Sequence, residues 1–261
     1  MKGLEAIANI DYPGRLIIIG KAFNGEVAVL YAITGRSTPS QARKLLRGEK
    51  TNTIRTEVTD REQLERGSPA LLLYPAIVPV DGFVAVSNGA QTKLIYSAIK
   101  NDKILSPPKD ILESAFALPF WEYDQKDDRW IDITSYEPDD PNFTPRISGC
   151  VINGDAALNI IKRGENENPI KEYFAFHLFE GRGKMISTYT GENVPKGVPL
   201  PSFKGAPFDV DLPYSKVEEA VDAVYDALKP KPGQLDFRVS VAGVYAGKEG
   251  YKIDIRNRCD K

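Results

Sequence analysis

The chain has 261 residues, 42% of them hydrophobic and 27% charged, and its formal net charge at pH 7 is -2. This composition is typical of a globular protein with a sizeable core, and the near-neutral charge gives no electrostatic reason to expect binding to nucleic acid or to an anionic membrane. The apolar runs are far shorter than a membrane span, and the start of the chain lacks a signal-peptide core. We therefore expect a cytoplasmic protein whose residues 1–261 form one domain.

Most of the predicted elements are strands. The first two, at residues 16–22 and 26–33, flank Phe23-Asn24-Gly25, which is a favourable hairpin turn. Short helices are predicted at residues 91–100 and 110–116, and the basic residues between 43 and 50 resemble one solvated face of a helix. Further strands are predicted at residues 54–59, 70–73, 77–80, 83–86, 130–133, 147–152, 157–161, 173–179, 184–189, 235–246 and 251–255.

The clearest helix is predicted at residues 216–228. Its apolar residues fall on one face at spacings of 4, 3 and 4, Ser215 and Glu218 suggest a capping box at its start, and Pro230 stops it. A single apolar stripe suits a helix that lies on a sheet. Many antiparallel strands with a few one-faced helices indicate a layered α+β architecture, either one covered sheet or an αββα sandwich.

Cysteine and histidine are too few to form a familiar metal site. The chain has Cys150, Cys259 and the single histidine His177, without CxxC or HxxH spacing, so we expect no metal. Cys150 follows a strand-like run and is expected to be a buried, inert thiol. No GxGxxG or Walker loop is present, and we expect no cofactor.

The segment at residues 136–147 predicts a stiff, non-helical loop because it contains three prolines. It also carries an acid, an amide, a hydroxyl and a cation, which are Glu137, Asn142, Thr144 and Arg146. Such groups held at fixed distances are what a site for a polar small molecule requires. The alternative interpretation is a surface turn with solvated charges.

This loop and four other segments resemble blocks of archaeal-type IMP cyclohydrolases, in the order found in that family. The segments are residues 12–21, 35–40, 86–92, 136–147 and 187–191, and the resemblance extends over roughly residues 12–210. It implies closure of 5-formamidoimidazole-4-carboxamide ribotide (FAICAR) to IMP, with loss of water, in purine biosynthesis. It also implies a four-layer αββα sandwich of the N-terminal-nucleophile-hydrolase type, with largely antiparallel sheets, but without the nucleophile of that class.

The resemblance and the chemistry of the side chains together give a set of candidate site residues. Glu137 is expected to orient the carboxamide nitrogen or take its proton, and Arg146 to pair with Glu137 or polarise the formyl oxygen. The candidate catalytic residues are Glu137, Arg146, Lys21 and Tyr74. The candidate substrate-binding residues are Arg36, Ser37 and Arg43 for phosphate, together with Asn88, Gly89, Gln91, Thr92, Asn142 and Thr144.

The expected partners are a purine ribotide substrate and its product IMP, and the sequence leaves the oligomeric state open, including a homo-oligomer. One alternative function is an amide hydrolase on the same sandwich, which needs a Cys, Ser or Thr at a processed N-terminus. Met1-Lys2-Gly3 lacks one. A second alternative is a non-catalytic purine-nucleotide-binding protein, because Gln41 stands where many family members have arginine.

Overall fold

The computed structural model describes residues 4–49, 51–80, 82–195 and 197–260. The helices are α1 (Glu5–Ala8), α2 (Thr38–Gln41), α3 (Arg61–Arg66), α4 (Pro69–Leu72), α5 (Thr92–Asn101), α6 (Pro108–Ala115) and α7 (Val217–Ala227), followed by a 3₁₀ turn at Arg258–Asp260. The strands are β1 (Arg15–Lys21), β2 (Val27–Thr34), β3 (Arg43–Arg47), β4 (Ile54–Val58), β5 (Pro75–Val80), β6 (Phe83–Ser87), β7 (Trp121–Asp124), β8 (Arg129–Asp132), β9 (Arg146–Ile152), β10 (Asp155–Arg163), β11 (Pro169–His177), β12 (Arg182–Ser187), β13 (Phe208–Asp211), β14 (Arg238–Gly247) and β15 (Gly250–Asn257).

Two large antiparallel sheets form the fold. The first sheet has the strand order β13-β12-β1-β2-β14-β15, and the second has the order β11-β10-β9-β6-β5-β4-β3. Strands β7 and β8 form a separate hairpin. The predicted hairpin around Asn24-Gly25 is confirmed, because β1 and β2 pair in antiparallel register from Arg15↔Ile33 to Lys21↔Val27.

Alternate residues of β1 enter two different cores, as the period of two in a strand requires. Ile17 and Ile19 face the second sheet and pack in one cluster with Ile147 of β9. Leu16 and Ile18 face the opposite way and pack with the apolar stripe of α7. The outer face of the second sheet is covered by α5 and α6 through a third cluster. The layers therefore follow one another as helix, sheet, sheet, helix, and the expectation of a helix lying on a sheet is confirmed for α7.

Two predicted elements are wrong. Residues 69–72 form helix α4 rather than a strand, and Pro69 occupies its first turn, where proline is favourable. The alternative interpretation of Arg43, Lys44 and Arg47 as a solvated helix face is wrong, because these residues form strand β3, in which Arg43 and Leu45 are buried and pair opposite β4. Lys50, which belonged to the same interpretation, lies outside the described residues. The partner of β3 is β4, the next strand in the chain, but a local pattern of charges does not reveal this pairing. Only the alternation of Arg43 and Leu45 indicated a strand.

The predicted capping box of α7 is also wrong. The helix begins at Val217 with Lys216 at the N-cap and no side-chain cap, so Ser215 lies one position too early to cap it. The carbonyl of Ser215 instead accepts a hydrogen bond of 2.8 Å from Asn24 Nδ2, which ties the start of α7 to the first hairpin.

Cys150 is buried beneath α5 and α6, and burial raises the pKa of its thiol. Cys259 is exposed, and both cysteines are free. His177 is exposed and lies 2.5 Å from Asp155. Within the described ranges, no group of three or more His, Cys, Asp or Glu side chains is placed to hold a metal ion, and no helix has the length and apolar character needed to cross a membrane.

A substitution on β14 tests the packing of α7 on the first sheet. A Cβ atom added at Gly243 would lie 2.8 Å from Val221 and 2.9 Å from Val217, both on α7. We expect Gly243→Ala to lower the free energy of unfolding by about 1–3 kcal/mol, the usual cost of overpacking a core. The measurement is denaturation by urea.

Gly247→Ala on the same strand is the matched control, because the three atoms nearest to its added Cβ all belong to the Glu26 side chain and not to α7. Both glycines lie outside the positive-φ region, so backbone strain does not separate them. Equal stability of the two variants would contradict close packing of α7 at Gly243.

Candidate functional site

Polar side chains lie together at one end of the two sheets, where several strands begin or end. We call this end the edge of the sheets; it is not an outermost strand. Arg15, Arg43 and Arg146 are the first residues of β1, β3 and β9, and Tyr74 directly precedes β5. The antiparallel register places these ends together, because the start of β3 lies opposite the end of β4 and the end of β6 opposite the start of β9. The sheets therefore bring distant parts of the sequence to one edge.

The centre of the site is the Glu137 carboxylate, which lies between two arginines. Arg15 Nη2 is 2.6 Å from Glu137 Oε1, and Arg146 Nη1 is 3.8 Å from the same oxygen. All three residues are buried. Because β1 belongs to the first sheet and β9 to the second, this group of charges joins the two sheets at the edge.

Burial and mutual charge act differently on the two arginines. Burial disfavours the charged guanidinium of Arg15, but the Glu137 carboxylate and the phenols around it hold the pKa of Arg15 well above its ordinary value. Burial lowers the pKa of Arg146, and the charge of Arg15 lowers it further while Glu137 opposes the shift. Arg15 is therefore the closer electrostatic partner of Glu137.

Asp139 fixes the loop that carries Glu137. Its Oδ1 accepts a hydrogen bond of 2.6 Å from Thr144 N, and its other oxygen accepts one from Thr144 Oγ1. The Glu137 N–H donates to the Thr144 carbonyl at 2.8 Å, which closes the loop. Since Thr144 Oγ1 gives its proton to Asp139, the Tyr189 hydroxyl donates to Thr144 at 2.6 Å. Asn142 contributes from the loop by accepting a 3.3 Å bond from Leu200 N.

The segment after β6 holds Arg146 in place. Asn88 Oδ1 accepts bonds from Ile147 N at 2.8 Å and from Gln91 Nε2 at 3.0 Å, so its amide is used within the protein. Gln91 Oε1 accepts a bond of 3.1 Å from Arg146 Nη1. A Cβ at Gly89 would lie only 2.3 Å from Arg146 Nη1, so only glycine allows the guanidinium to approach the backbone here.

Thr92 and Ser37 have local structural roles. Thr92 Oγ1 donates to the Gly89 carbonyl at 3.0 Å beneath the start of α5. Ser37 is exposed and caps α2 by accepting a bond of 3.3 Å from Ser40 N. These contacts are the turn and cap chemistry that the residue types favour, and neither side chain joins the group around Glu137.

Buried guanidinium groups at this edge carry donors without a partner among the described residues. Arg43 is 2% exposed and its Nε donates to the Ser40 carbonyl at 3.0 Å, but its Nη2 has no partner. The Nε atoms of Arg15 and Arg146 likewise have none. Such donors are rare in native proteins unless a ligand or water satisfies them, and positive charge makes an anion the favoured ligand.

Arg36 lies at the margin of the same edge. Its guanidinium is 5.1 Å from the centre of the Tyr12 ring, and its Nη1 donates to the Val194 carbonyl at 2.8 Å. Burial raises the pKa of Tyr12, against which the charges of Arg15, Arg43 and Arg36 all act. The three arginines therefore surround one phenol, with Arg36 the most exposed of them.

Lys21 is not brought to this site. It is the last residue of β1, six residues beyond Arg15, and at about 3.3 Å per residue it lies roughly 20 Å away at the opposite edge. Arg15 was not among the predicted site residues, although it precedes the apolar run and shares the strand face of Ile17 and Ile19. That alternation was the signal that directed Arg15 between the sheets.

Comparison with known proteins identifies a matching family. The sequence model of one family, described as IMP cyclohydrolase-like protein, matches residues 12–250. The chain belongs to this family. A protein named IMP cyclohydrolase from Methanococcus maripaludis strain C7 is 25% identical over 185 residues, which cover 71% of this chain and 78% of that protein. Another of that name, from Methanococcus aeolicus strain Nankai-3, is 27% identical over 180 residues, covering 68% and 77% of the two chains.

The family resemblance and the structural site coincide. Each of the five segments that carry the resemblance supplies a residue to this edge: Arg15, Arg36, Gln91, Glu137 and Tyr189. Segments that are far apart in sequence therefore lie together at one edge of the sheets.

The loop carboxyl of Asp139 gives the site a pH dependence. Burial, and then the charge of Glu137, raise the pKa of Asp139 from 3.8 to about 6. A raised pKa in the folded state contributes stability that is present below the unfolded value and is lost as the pH rises through the folded value. Relative to Asp139→Asn, the native chain should therefore lose about 2 kcal/mol of stability between pH 4.5 and pH 7.5.

The measurement is the free energy of unfolding of both proteins at several pH values across this range. Any constant effect of the substitution on the Thr144 hydrogen bonds cancels in the comparison across pH. A stability difference that does not change with pH would mean that Asp139 keeps its ordinary pKa.

Proposed function

We propose that this protein closes FAICAR to IMP, the reaction for which its relatives are named. The carboxamide nitrogen bonds to the formyl carbon, and the formyl oxygen leaves as water with one proton from the carboxamide nitrogen and one from the formamido nitrogen. The nitrogen is a poor nucleophile, so the reaction requires it to be held close to the formyl carbon while one group accepts a proton and another stabilises charge on oxygen.

The observation that carries this proposal is the fixed position of Glu137 between Arg15 and Arg146. The short contact with Arg15 holds the carboxylate in one orientation, and the closed loop prevents it from swinging away. A carboxylate so placed orients the carboxamide nitrogen or receives its proton. Arg146, whose Nη1 also donates to Gln91 Oε1, supplies positive charge for the formyl oxygen.

The phosphate of the ribotide is assigned to the basic side of the site. Arg15, Arg43 and Arg146 are three buried cations at this edge, where the carboxyl groups of Glu137 and Asp139 also lie, and an anionic ligand offsets the excess of positive charge. Arg43 is the better phosphate ligand, because Arg36 already donates to Val194 while Arg43 keeps a buried donor free among the described residues. Arg43 then supplies the cation that Gln41 does not.

The order of layers supports a further proposal about the fold. Two stacked antiparallel sheets with helices on both outer faces have the architecture of N-terminal-nucleophile hydrolases. Here the groups proposed for catalysis come from strand ends and a loop within the chain. We propose that the fold is a sandwich of this type that works without a terminal nucleophile. We also propose that the protein acts in the cytoplasm and catalyses a step of purine biosynthesis.

Ring closure is tested by following IMP formation from FAICAR in the ultraviolet. We expect the native chain to turn over, and Glu137→Gln to lower kcat by roughly a hundredfold or more, the usual scale for acid–base groups. Lys21→Ala should retain nearly native kcat, because Lys21 lies at the opposite edge. Binding of IMP without turnover by the native chain would instead support the non-catalytic alternative.

Phosphate binding is tested by measuring the affinity for IMP by calorimetry. Loss of a charge-assisted contact is worth about 1.5–3 kcal/mol, so Arg43→Ala should weaken binding roughly ten- to a hundredfold. Arg36→Ala is the matched comparison and should have the smaller effect. A larger effect at Arg36 would move the phosphate to the margin of the site.

A further inference from the structure

Two buried tyrosines beside Arg15 share a single hydrogen bond. The hydroxyl groups of Tyr31 and Tyr74 lie 2.8 Å apart, and the side chains are 0% and 3% exposed. Tyr31 lies on β2 of the first sheet, whereas Tyr74 directly precedes β5 of the second sheet. Their contact therefore crosses the space between the sheets, and both phenols act to raise the pKa of Arg15.

The hydrogen bond uses only one of the two hydroxyl protons. Each phenol has one proton to donate, so the pair holds two. Neither hydroxyl makes another hydrogen bond within the described ranges of the chain. One proton is therefore left without an acceptor there, although buried hydroxyl groups normally have one.

The position of the two rings indicates which proton remains. Tyr31 lies within β2, between β1 and β14, is 0% exposed, and has no acceptor other than Tyr74 Oη among the described residues. Its proton is therefore assigned to the bond with Tyr74, which retains the greater exposure of the two. Tyr74 lies at the strand end that carries the site. Its phenol acts to raise the pKa of both Arg15 and Arg146, the two partners of Glu137. The remaining proton is thus the one on Tyr74, on the side of the site.

We propose that Tyr31 is a positioning residue whose hydroxyl donates to Tyr74 Oη and so directs the Tyr74 O–H toward the formyl oxygen of the bound ribotide. This inference rests on the proposed function and adds a specific donor to it. As the carboxamide nitrogen attacks, negative charge grows on the formyl oxygen, so a donor fixed in advance stabilises the transition state more than the ground state.

The test is a double-mutant cycle with Tyr31→Phe, Tyr74→Phe and the combined variant, with kcat and KM for FAICAR and the affinity for IMP measured in each. Tyr74→Phe should lower kcat roughly a hundredfold, as for other lost donors to a developing oxyanion. Tyr31→Phe should lower kcat roughly tenfold. KM should stay within about twofold, because the donor acts on the transition state more than on the ground state. IMP affinity should stay within about twofold, because IMP has lost the formyl oxygen. Tyr31→Phe should have no further effect once Tyr74 is phenylalanine.

Tyr245→Phe is the matched control, because Tyr245 is also fully buried and its hydroxyl donates to the Tyr214 carbonyl at 3.2 Å, on the α7 side of the first sheet. It removes a buried phenol hydroxyl without touching the site, and kcat should not change.

The outcomes separate the two proposals. If Tyr31→Phe leaves kcat unchanged, or costs the same with and without the Tyr74 hydroxyl, the positioning role is overturned while the proposed function stands. If it weakens IMP binding as much as it lowers kcat, the role is structural and the inference is again overturned. A native chain that forms no IMP overturns the proposed function and this inference with it.

Discussion

A buried carboxylate between two guanidinium groups is the contact on which the site depends. Arg15 belongs to the first sheet, Arg146 to the second, and Glu137 to the loop that leads into β9. Removing one member of a buried ion pair leaves an uncompensated charge, so all three elements must be placed together. Well-packed apolar residues would often stabilise such a position at least as well. The retention of charge at this edge therefore indicates chemistry more than stability.

The cost of these charges is confined to the ends of the strands. From Ile17 onward the space between the sheets is filled by apolar side chains, and the helices cover two further apolar clusters. The hydrophobic core can therefore stabilise the fold while the edge remains polar. Positioning is left to short hydrogen bonds: Asp139 closes the Glu137 loop, and Asn88 with Gln91 holds the start of β9 and the Arg146 side chain.

Local patterns in the sequence predicted several local features of the fold, and the failures that concern the site arise where pairing within a sheet decides. The hairpin turn after Lys21 and the helix on which Val217 lies are encoded within a few residues, as is the stiff loop of Glu137. The strand at Arg43 was missed because its partner β4 and its place in the sheet are not visible in a local run of charges. The same limit explains why Lys21 was chosen as a candidate although it lies far from the Glu137 group. Adjacency to an apolar strand does not say at which end of that strand the site lies.

The order of the two sheets decides which charged residues reach the candidate site. Arg15 and Lys21 are the first and last residues of β1, and both side chains are basic. Only Arg15 lies at the edge where β3, β5 and β9 begin. In the antiparallel register, the first residue of β1 lies at the end of the sheet near the Glu137 loop, and the last residue lies at the opposite end. A cation at that edge meets a carboxylate, buried phenols and two further guanidinium groups, whereas one at the other end meets the hairpin turn. The chemistry proposed here thus follows from sheet topology acting on residues that composition alone cannot tell apart.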